Sequence, residues 1–563
     1  MKLRAWPMAL MVHLLHVTVF AKVCSASSTR PRVSVRQTSG LCETTPNVKS
    51  YSGYVALPPT TNFPYEQNLF FWFFESRQDP RNDPLVLWIN GGPGSPSIGQ
   101  ALGSNGPCRV LDDSKTTKLN EWSWNNRANL LYIDQPVQTG FSYDTVVNGR
   151  MDLLTGNIFP DGADVPPEGS ILFDGTFSSQ DPRQTVNTTQ NAARVIGGHW
   201  APAIASHFNT QSDSLASSNP VSPTERLCPR PRPRPIRVAT LGLIAPFIDV
   251  LVQNSALTYA YNNTYEIEIF DQDTVANITA TFNAEGGCRN LTEACRATVA
   301  AQDPDGWGNA PAAWEICAFA FQTCYALTEL PYSAQGRDPF DITQSAAERF
   351  PPPYALGFLN RENVQNFFIT GDFLVSFAPT IESLLNVDIP VTLIYGDRDW
   401  RSNWFGGEDL SLALAHRGAA AFAAAGDDDG PVRRRGYTRQ HGRFSFTVLR
   451  QAGHEAPYYQ PDAAYAVFQR DLDGVDIATG RTPVAPGSSG YSTSGPSDIR
   501  GVKASRPSGP RPLFCYVAGR SLPAGSCSEE QIAALRDGSA VVEDFVVVNP
   551  PWRSPWRRGR ERA

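Results

Sequence analysis

The sequence predicts an α/β protein built on a doubly wound, mostly parallel sheet, and three observations predict it. Short apolar runs bounded by Gly, Pro, Asn or Asp recur along the chain: SGYVAL from Ser52, NLFFWFFES from Asn68, PLVLWIN from Pro84, ANLLYIDQP from Ala128, VTLIYGD from Val391 and FSFTVLRQAGH from Phe444. Several are continuously apolar, as in 85–89 and 130–133, the pattern of strands buried on both faces. Helical stretches separate them, around 364–385 and in the Ala-rich 410–425. Strands alternating with helices stack into a sheet covered on both sides.

The chain has 563 residues, enough for one large domain carrying an insertion. The expected organisation is a signal peptide over 1–26, the main domain over 51–470 with an insertion at about 206–350, an extension over 471–549 and a basic disordered tail over 550–563. Lys2 and Arg4 precede an apolar run that ends at Phe20, and small residues suit cleavage after Ala21 or Ala26. That run is shorter than the roughly 20 residues a spanning helix needs, so secretion is expected and a membrane anchor is not. A formal net charge of −7, with 18% charged residues, gives nothing for nucleic acid to bind.

Ten cysteines suit an oxidising compartment. Cys288 and Cys295 repeat the internal spacing of Cys317 and Cys324, which predicts a stapled subregion with its pairing open; the close pairs of a zinc site are absent. Asn187, Asn262, Asn277 and Asn290 begin sequons and are candidate glycan acceptors. CPRPRPRPIR, at 228–237, reads as an exposed polyproline segment.

The chemistry collects at strand ends. VTLIYGD runs into Asp397, Arg398 and Asp399, and the following strand ends at Gly453, His454 and Glu455. An acid after one strand and a histidine after the next is the order of the α/β-hydrolase fold, whose nucleophile comes earlier. A serine needs an imidazole to take its proton and a carboxylate to fix the tautomer. The Gly-rich turn at 89–97, INGGPGSPS, follows strand PLVLW, where backbone N–H groups can stabilise an oxyanion. It lacks the spacing of a phosphate-binding loop.

WINGGPGSPS, SWNNRANLLYIDQPVQTGFSY, GGHWAPAIA, YGDRDWRSNWFGGE and QAGHEAPYYQP occur in that order. Together they resemble the signature blocks of the serine carboxypeptidases, especially the secreted fungal members. The resemblance implies release of C-terminal residues from peptides by acyl transfer, usually in acid, in a secreted or vacuolar enzyme with no cofactor and no metal. It implies Asp399 as the triad acid, His454 as the base, Gly92 in the oxyanion hole, and Asn90 with Gly91 holding the substrate's carboxylate, beside Trp88.

The pattern breaks at the nucleophile. The family's glutamate and serine directly before GGH correspond here to Arg194 and Val195, so no nucleophile is assigned. Family members have about 30 additional residues here, completing a helix and adding the central strand that leads into the elbow. After the helix-like 179–194 this chain proceeds straight to GGH, so the central strand is expected to be deleted and the chain inactive as written. Ser95 belongs to the Gly-rich turn and is expected to be structural. Ser104 stands where the family has a glutamate, Ser95 and Ser402 where many members have cysteine, and Ala245-Pro246 where it has Asn-Gly. The alternatives are a secreted peptide-binding protein without catalysis, and an esterase of the same fold.

Overall fold

The computed structural model describes residues 31–551 except 62, 92–93, 112–115, 156, 163–165, 187, 190–200, 218–234, 255, 346–373, 430–434, 485–489, 508–514, 516, 518–526 and 544–545. Val195, Gly92, Asn187, most of the Pro/Arg stretch, the 1–26 leader and all but the start of the basic tail lie outside the described residues.

Two five-stranded sheets form the frame. The first contains β1 (Arg32–Thr38), β2 (Ser50–Leu57), β3 (Gln67–Phe74), β4 (Leu85–Trp88) and β5 (Asn129–Ile133), in the order β1-β2-β3-β5-β4. The second contains β6 (Leu241–Ile244), β7 (Val391–Gly396), β8 (Asp428–Asp429), β9 (Gly436–His441) and β10 (Phe444–Leu449), in the order β6-β7-β10-β9-β8. Pairing is parallel where the sheets face each other: β4 with β5, and β6 with β7 and β10. The outer strands are antiparallel.

Each sheet ends on an edge that no described strand covers, β4 in one and β6 in the other. Both edges border a single cavity of about 1390 Å³, walled by residues 84–91 on one side and 240–246 on the other. No described strand lies between β4 and β6, and the position of the expected deletion, 194–197, lies outside the described residues. Exposure along β4 corrects the reading of 85–89 as a strand covered on both faces, because Leu85 is 60% exposed and Val86, Leu87 and Trp88 are only half-buried. By contrast, every residue of β7 and β10 is buried.

The halves are joined by the helix Pro461–Leu472. Its Tyr465 and Phe468 pack with the first sheet's core, where the Phe468 ring stacks on Trp124 at 4.1 Å, while Ala463, Ala464 and Val467 face the second. Asp471 at its end accepts from Thr240 Oγ1 at 2.5 Å and from Thr392 Oγ1 at 2.9 Å, tying β6 and β7 to the same helix. Burial pushes the Asp471 carboxyl above its ordinary range, against those two hydroxyls and the charge of Arg443.

The insertion expected at about 206–350 is not one block, since β6 lies inside it and belongs to the main sheet. Its helical part is Gln272–Asn283, Cys288–Gln302 and Pro311–Ser333. The last two are stapled twice, by Cys288–Cys324 and Cys295–Cys317, which resolves the pairing of the repeated spacing. Cys42–Cys108 and Cys515–Cys527 are the other disulfides among the described residues. Two helix expectations are corrected. The stretch 410–425 is two helices, Trp404–Ala413 and Ala419–Ala424, because Leu414 turns to an extended backbone to bury its side chain. Of 179–194, residues 179–186 hold only the 3-10 turn Pro182–Gln184, since Asp181 caps Arg183 N and Gln180 has φ 59°; Thr189 is helical, and 190–194 lie outside the described residues. Of 364–385, the described part forms the helix Ala378–Asn386.

The extension beyond 471 packs back on β9 and β8 through a buried ionic network. Arg439, 3% exposed, bonds Asp427 Oδ2 at 2.7 Å and pairs with Glu408 Oε1 at 3.4 Å; Arg500 reaches Glu408 Oε2 at 2.7 Å and Asp409 Oδ1 at 2.5 Å. Thr493 N donates to Gln440 O at 3.0 Å, beside these pairs. Burial raises the Asp427 carboxyl to about 6, against the pull of Arg439.

Candidate active site

The loops after β7 and β10 bring the predicted acid and base together. His454 Nδ1 lies 2.7 Å from Asp399 Oδ2, with the carboxylate fully buried and the imidazole 30% exposed. The two loops cross tightly. A Cβ on Gly396 would meet Gly453 O at 2.2 Å, and one on Gly453 would meet Phe340 O at 2.3 Å, so neither position tolerates a side chain. His454 N donates to Phe340 O at 3.0 Å, and the two rings lie 5.0 Å apart.

A second layer fixes this crossing. Asp397 Oδ1 accepts from Ala452 N at 3.2 Å, and the Tyr265 hydroxyl donates to both carboxylate oxygens at 2.9 Å. Tyr265 in turn accepts from Gln451 N at 3.2 Å, and Tyr259 donates its hydroxyl to Asp397 O at 2.8 Å. Burial raises Asp397 to about 7, against the lowering effect of the Tyr265 hydroxyl, Arg398 and Ala452 N–H. Sequence reading singled out Asp399 and passed over this partner. Tyr265 and Phe340 carry no local signal, because they reach the site from the segments between β6 and β7.

Burial pulls the His454 imidazole downward, but the Asp399 charge and hydrogen bond, with Glu455, outweigh it and the net shift is upward. That runs against the acid optimum implied by the resemblance, since a raised base is protonated in acid. The pair therefore adds stability that is complete below the unfolded value of about 6.5 and is lost as pH rises through the higher folded value. His454→Ala is expected to lower the urea midpoint of the full chain more at pH 5 than at pH 8. Equal losses at both would remove the ion pair from the account.

His454 opens on the cavity between β4 and β6, which Asn90, Gly91, Trp88, Ser95 and Ser402 also line. Asn90 is oriented by its backbone: its N–H donates to Ser97 Oγ at 3.0 Å and its carbonyl accepts from Gln135 Nε2 at 3.3 Å. The Trp88 ring packs edge-on to Trp124 at 5.5 Å, and its Nε1 has no partner among the described residues. Ser95 N closes a turn on Gly91 O at 3.2 Å, and no hydrogen bond joins Ser95 to His454 among the described residues. Arg401 and Glu329, paired at 3.3 Å, stand on the same wall as His454. No His, Cys, Asp and Glu cluster fit for a metal occurs among the described residues. No described helix is long and apolar enough to cross a membrane.

Ala245, where β6 meets the cavity, holds φ 46°. A Cβ in left-handed backbone costs about 1–2 kcal/mol, and the residue is pinned there because Ala245 N donates to Ile394 O at 2.7 Å. Ala245→Gly is expected to raise stability by about 0.5–1 kcal/mol, net of glycine's greater freedom when unfolded. A lower urea midpoint would show that the conformation is not strained.

The serine carboxypeptidase family model matches residues 40–370 and 362–474, most of the chain. The chain belongs to the serine carboxypeptidase family. It is 36% identical to carboxypeptidase S1 homolog A of Arthroderma otae, over 91% of this chain and 86% of that one. It is 31% identical to carboxypeptidase S1 of Penicillium janthinellum, over 78% of this chain and 99% of that one. A solved prohormone-processing carboxypeptidase from Saccharomyces cerevisiae shares the fold, with a TM-score of 0.52 at 17% identity, covering 76% of this chain and 91% of that one. The Arthroderma alignment spans 572 positions, whereas 91% of 563 residues is about 512, so about 60 positions of the family member face gaps here.

Proposed function

We propose that the gene encodes a serine carboxypeptidase of the secretory pathway, with His454 as general base and Asp399 as its orienting acid, and that the chain as given is inactive for want of a nucleophile. The observation that carries this is the His454–Asp399 pair opening on a cavity between two parallel strand edges that no described strand covers. Asp399 occupies Nδ1, which leaves Nε2 to take a serine proton as the hydroxyl attacks the last peptide carbonyl. Backbone N–H groups at Gly92 and the turn around it are assigned to the oxyanion, and Asn90 with Gly91 to the terminal carboxylate. The imidazolium then returns its proton to the departing amino acid, and water repeats the cycle on the acyl group.

Val195 supplies no hydroxyl at the expected position. Missing coding sequence between Arg194 and Gly197 explains both that loss and the gap between β4 and β6. Secretion rests on the leader at 1–26, on the four disulfides among the described residues, and on sequon residues Asn277 and Asn290, which are exposed on helices; Asn262 is half-buried against Lys503. Sequencing the transcript is the test: continuous reads from Ala193 to Gly198 with no extra codons would overturn the missing-segment reading, and resistance of the cognate protein to a fluorophosphonate label would overturn the serine peptidase.

A further inference from the structure

The chain beyond the family match reaches back to the loops that carry the acid and the base. Ile499, 2% exposed, sits in the core of the second sheet, and Val502 and Ala504 pack on the same core. The strap 502–506 is thereby fixed across the segment that follows the short helix Tyr259–Asn262. There it supplies donors to the carbonyls of five consecutive residues, 262–266. Lys503 Nζ donates to Asn262 O at 3.2 Å and to Asn263 O at 3.1 Å, and Ala504 N to Thr264 O at 2.8 Å. Arg506 spans the last two, with Nε 3.3 Å from Tyr265 O and Nη2 3.1 Å from Glu266 O. On its other side the strap meets the loop that leads to His454, where Gln451 Nε2 donates to Ser505 O at 3.3 Å.

These contacts fall on both sides of one hydroxyl. Tyr265 Oη bridges the carboxylate of Asp397, two residues before Asp399, and the backbone N–H of Gln451, three residues before His454. Arg398 Nε donates to the same oxygen at 3.3 Å, and Arg398 Nη2 to Gln451 Oε1. The backbone around this bridge is strained. Glu266 holds φ 51° and Gln451 φ 58°, left-handed conformations that persist in residues with a side chain only where the surroundings over-determine them. Arg506 grips the first of these residues, and Ser505 the second. Release of either would let Tyr265 shift between the two loops, and the 2.7 Å contact of His454 with Asp399 depends on their relative placement.

We infer that the strap is a positioning element of the acid–base pair, with Arg506 acting through Tyr265 and the Ser505 carbonyl through Gln451. The inference rests on the carboxypeptidase reading and extends its working parts to residue 506.

The test uses the full chain, and its first readout needs no nucleophile. The proton between His454 Nδ1 and Asp399 gives a far-downfield magnetic resonance signal in histidine-labelled protein at pH 5, assigned by its loss in His454→Ala. In the double variant Lys503→Ala, Arg506→Ala that signal is expected to move upfield or broaden away while the urea transition still reports a folded chain. Arg506→Lys, which keeps a cation at the same carbonyls, is expected to restore part of it. Arg127→Ala breaks an exposed pair with Asp473 instead, and is expected to leave the signal in place. In the chain with its central strand restored, the double variant is expected to lower kcat about tenfold with KM changed less than about twofold, as for groups displaced from the geometry of the transition state. If the double variant does not fold, Arg506→Ala alone is read by the same criteria. An unchanged signal in the folded variant, an equal change in Arg127→Ala, a loss confined to KM, or absence of the signal from the parent chain overturns the inference. Failure of the carboxypeptidase reading registers separately, as absent turnover in the restored parent while the signal still responds to the strap.

Discussion

Insertion of the corresponding segment of the Arthroderma otae family member between Arg194 and Gly197 is expected to raise hydrolysis of a blocked dipeptide free acid by about 10⁶-fold, the loss that accompanies deletion of a serine nucleophile. The acid and base are already paired. His454 Nδ1 is committed to Asp399, the imidazole faces the cavity, and the loops that carry both residues are locked by Gly453, Gly396 and the Asp397–Tyr265 bond. The oxyanion hole and substrate binding alone leave about 10³–10⁴ over water, so the parent chain is expected to sit at that floor. In the restored chain, His454→Ala should return activity to the same floor. Equal rates in parent and restored chains, or indifference to His454→Ala, would mean that the nucleophile lies elsewhere.

The same insertion is expected to change stability by several kcal/mol. The cavity of about 1390 Å³ opens to solvent, and much of its apolar lining lacks packing partners among the described residues. The outer backbone edges of β4 and β6, which no described strand pairs, add to the cost. The chain as given should therefore bind an apolar fluorescent dye strongly and unfold at low urea, whereas the restored chain should exclude the dye and unfold cooperatively at higher urea. Identical dye binding and midpoints would show that the gap is closed by some other part of the chain.

Much of this frame was legible in the sequence because buried strands leave continuous apolar runs, as 391–396 and 444–449 do, and because Asp399 and His454 follow those runs directly. What was not legible depended on partners distant in the chain. The antiparallel outer strands gave no alternation, since a run such as 70–74 is apolar throughout. The Leu414 break and the Asp181 cap override helical composition with one residue each. Asp397 looked like a spare acid beside Asp399 until Tyr265, 132 positions away, closed on it. The break at the nucleophile was readable only as an interruption between motifs, and no described strand lies between the edges of β4 and β6.

The ionic network at the end of the second sheet bears on where this protein can be shortened. The family match stops at residue 474, which invites a cut there for expression. Such a cut would take away Arg500, leaving Glu408 without its second cation and a single arginine, Arg439, between two buried acids. Removing one partner of a buried pair typically costs about 3–5 kcal/mol. It would also strip Thr493 from Gln440 and expose the backbone of β9 along the outer margin of the sheet. The folded unit thus runs to at least Arg500, past the end of the family match.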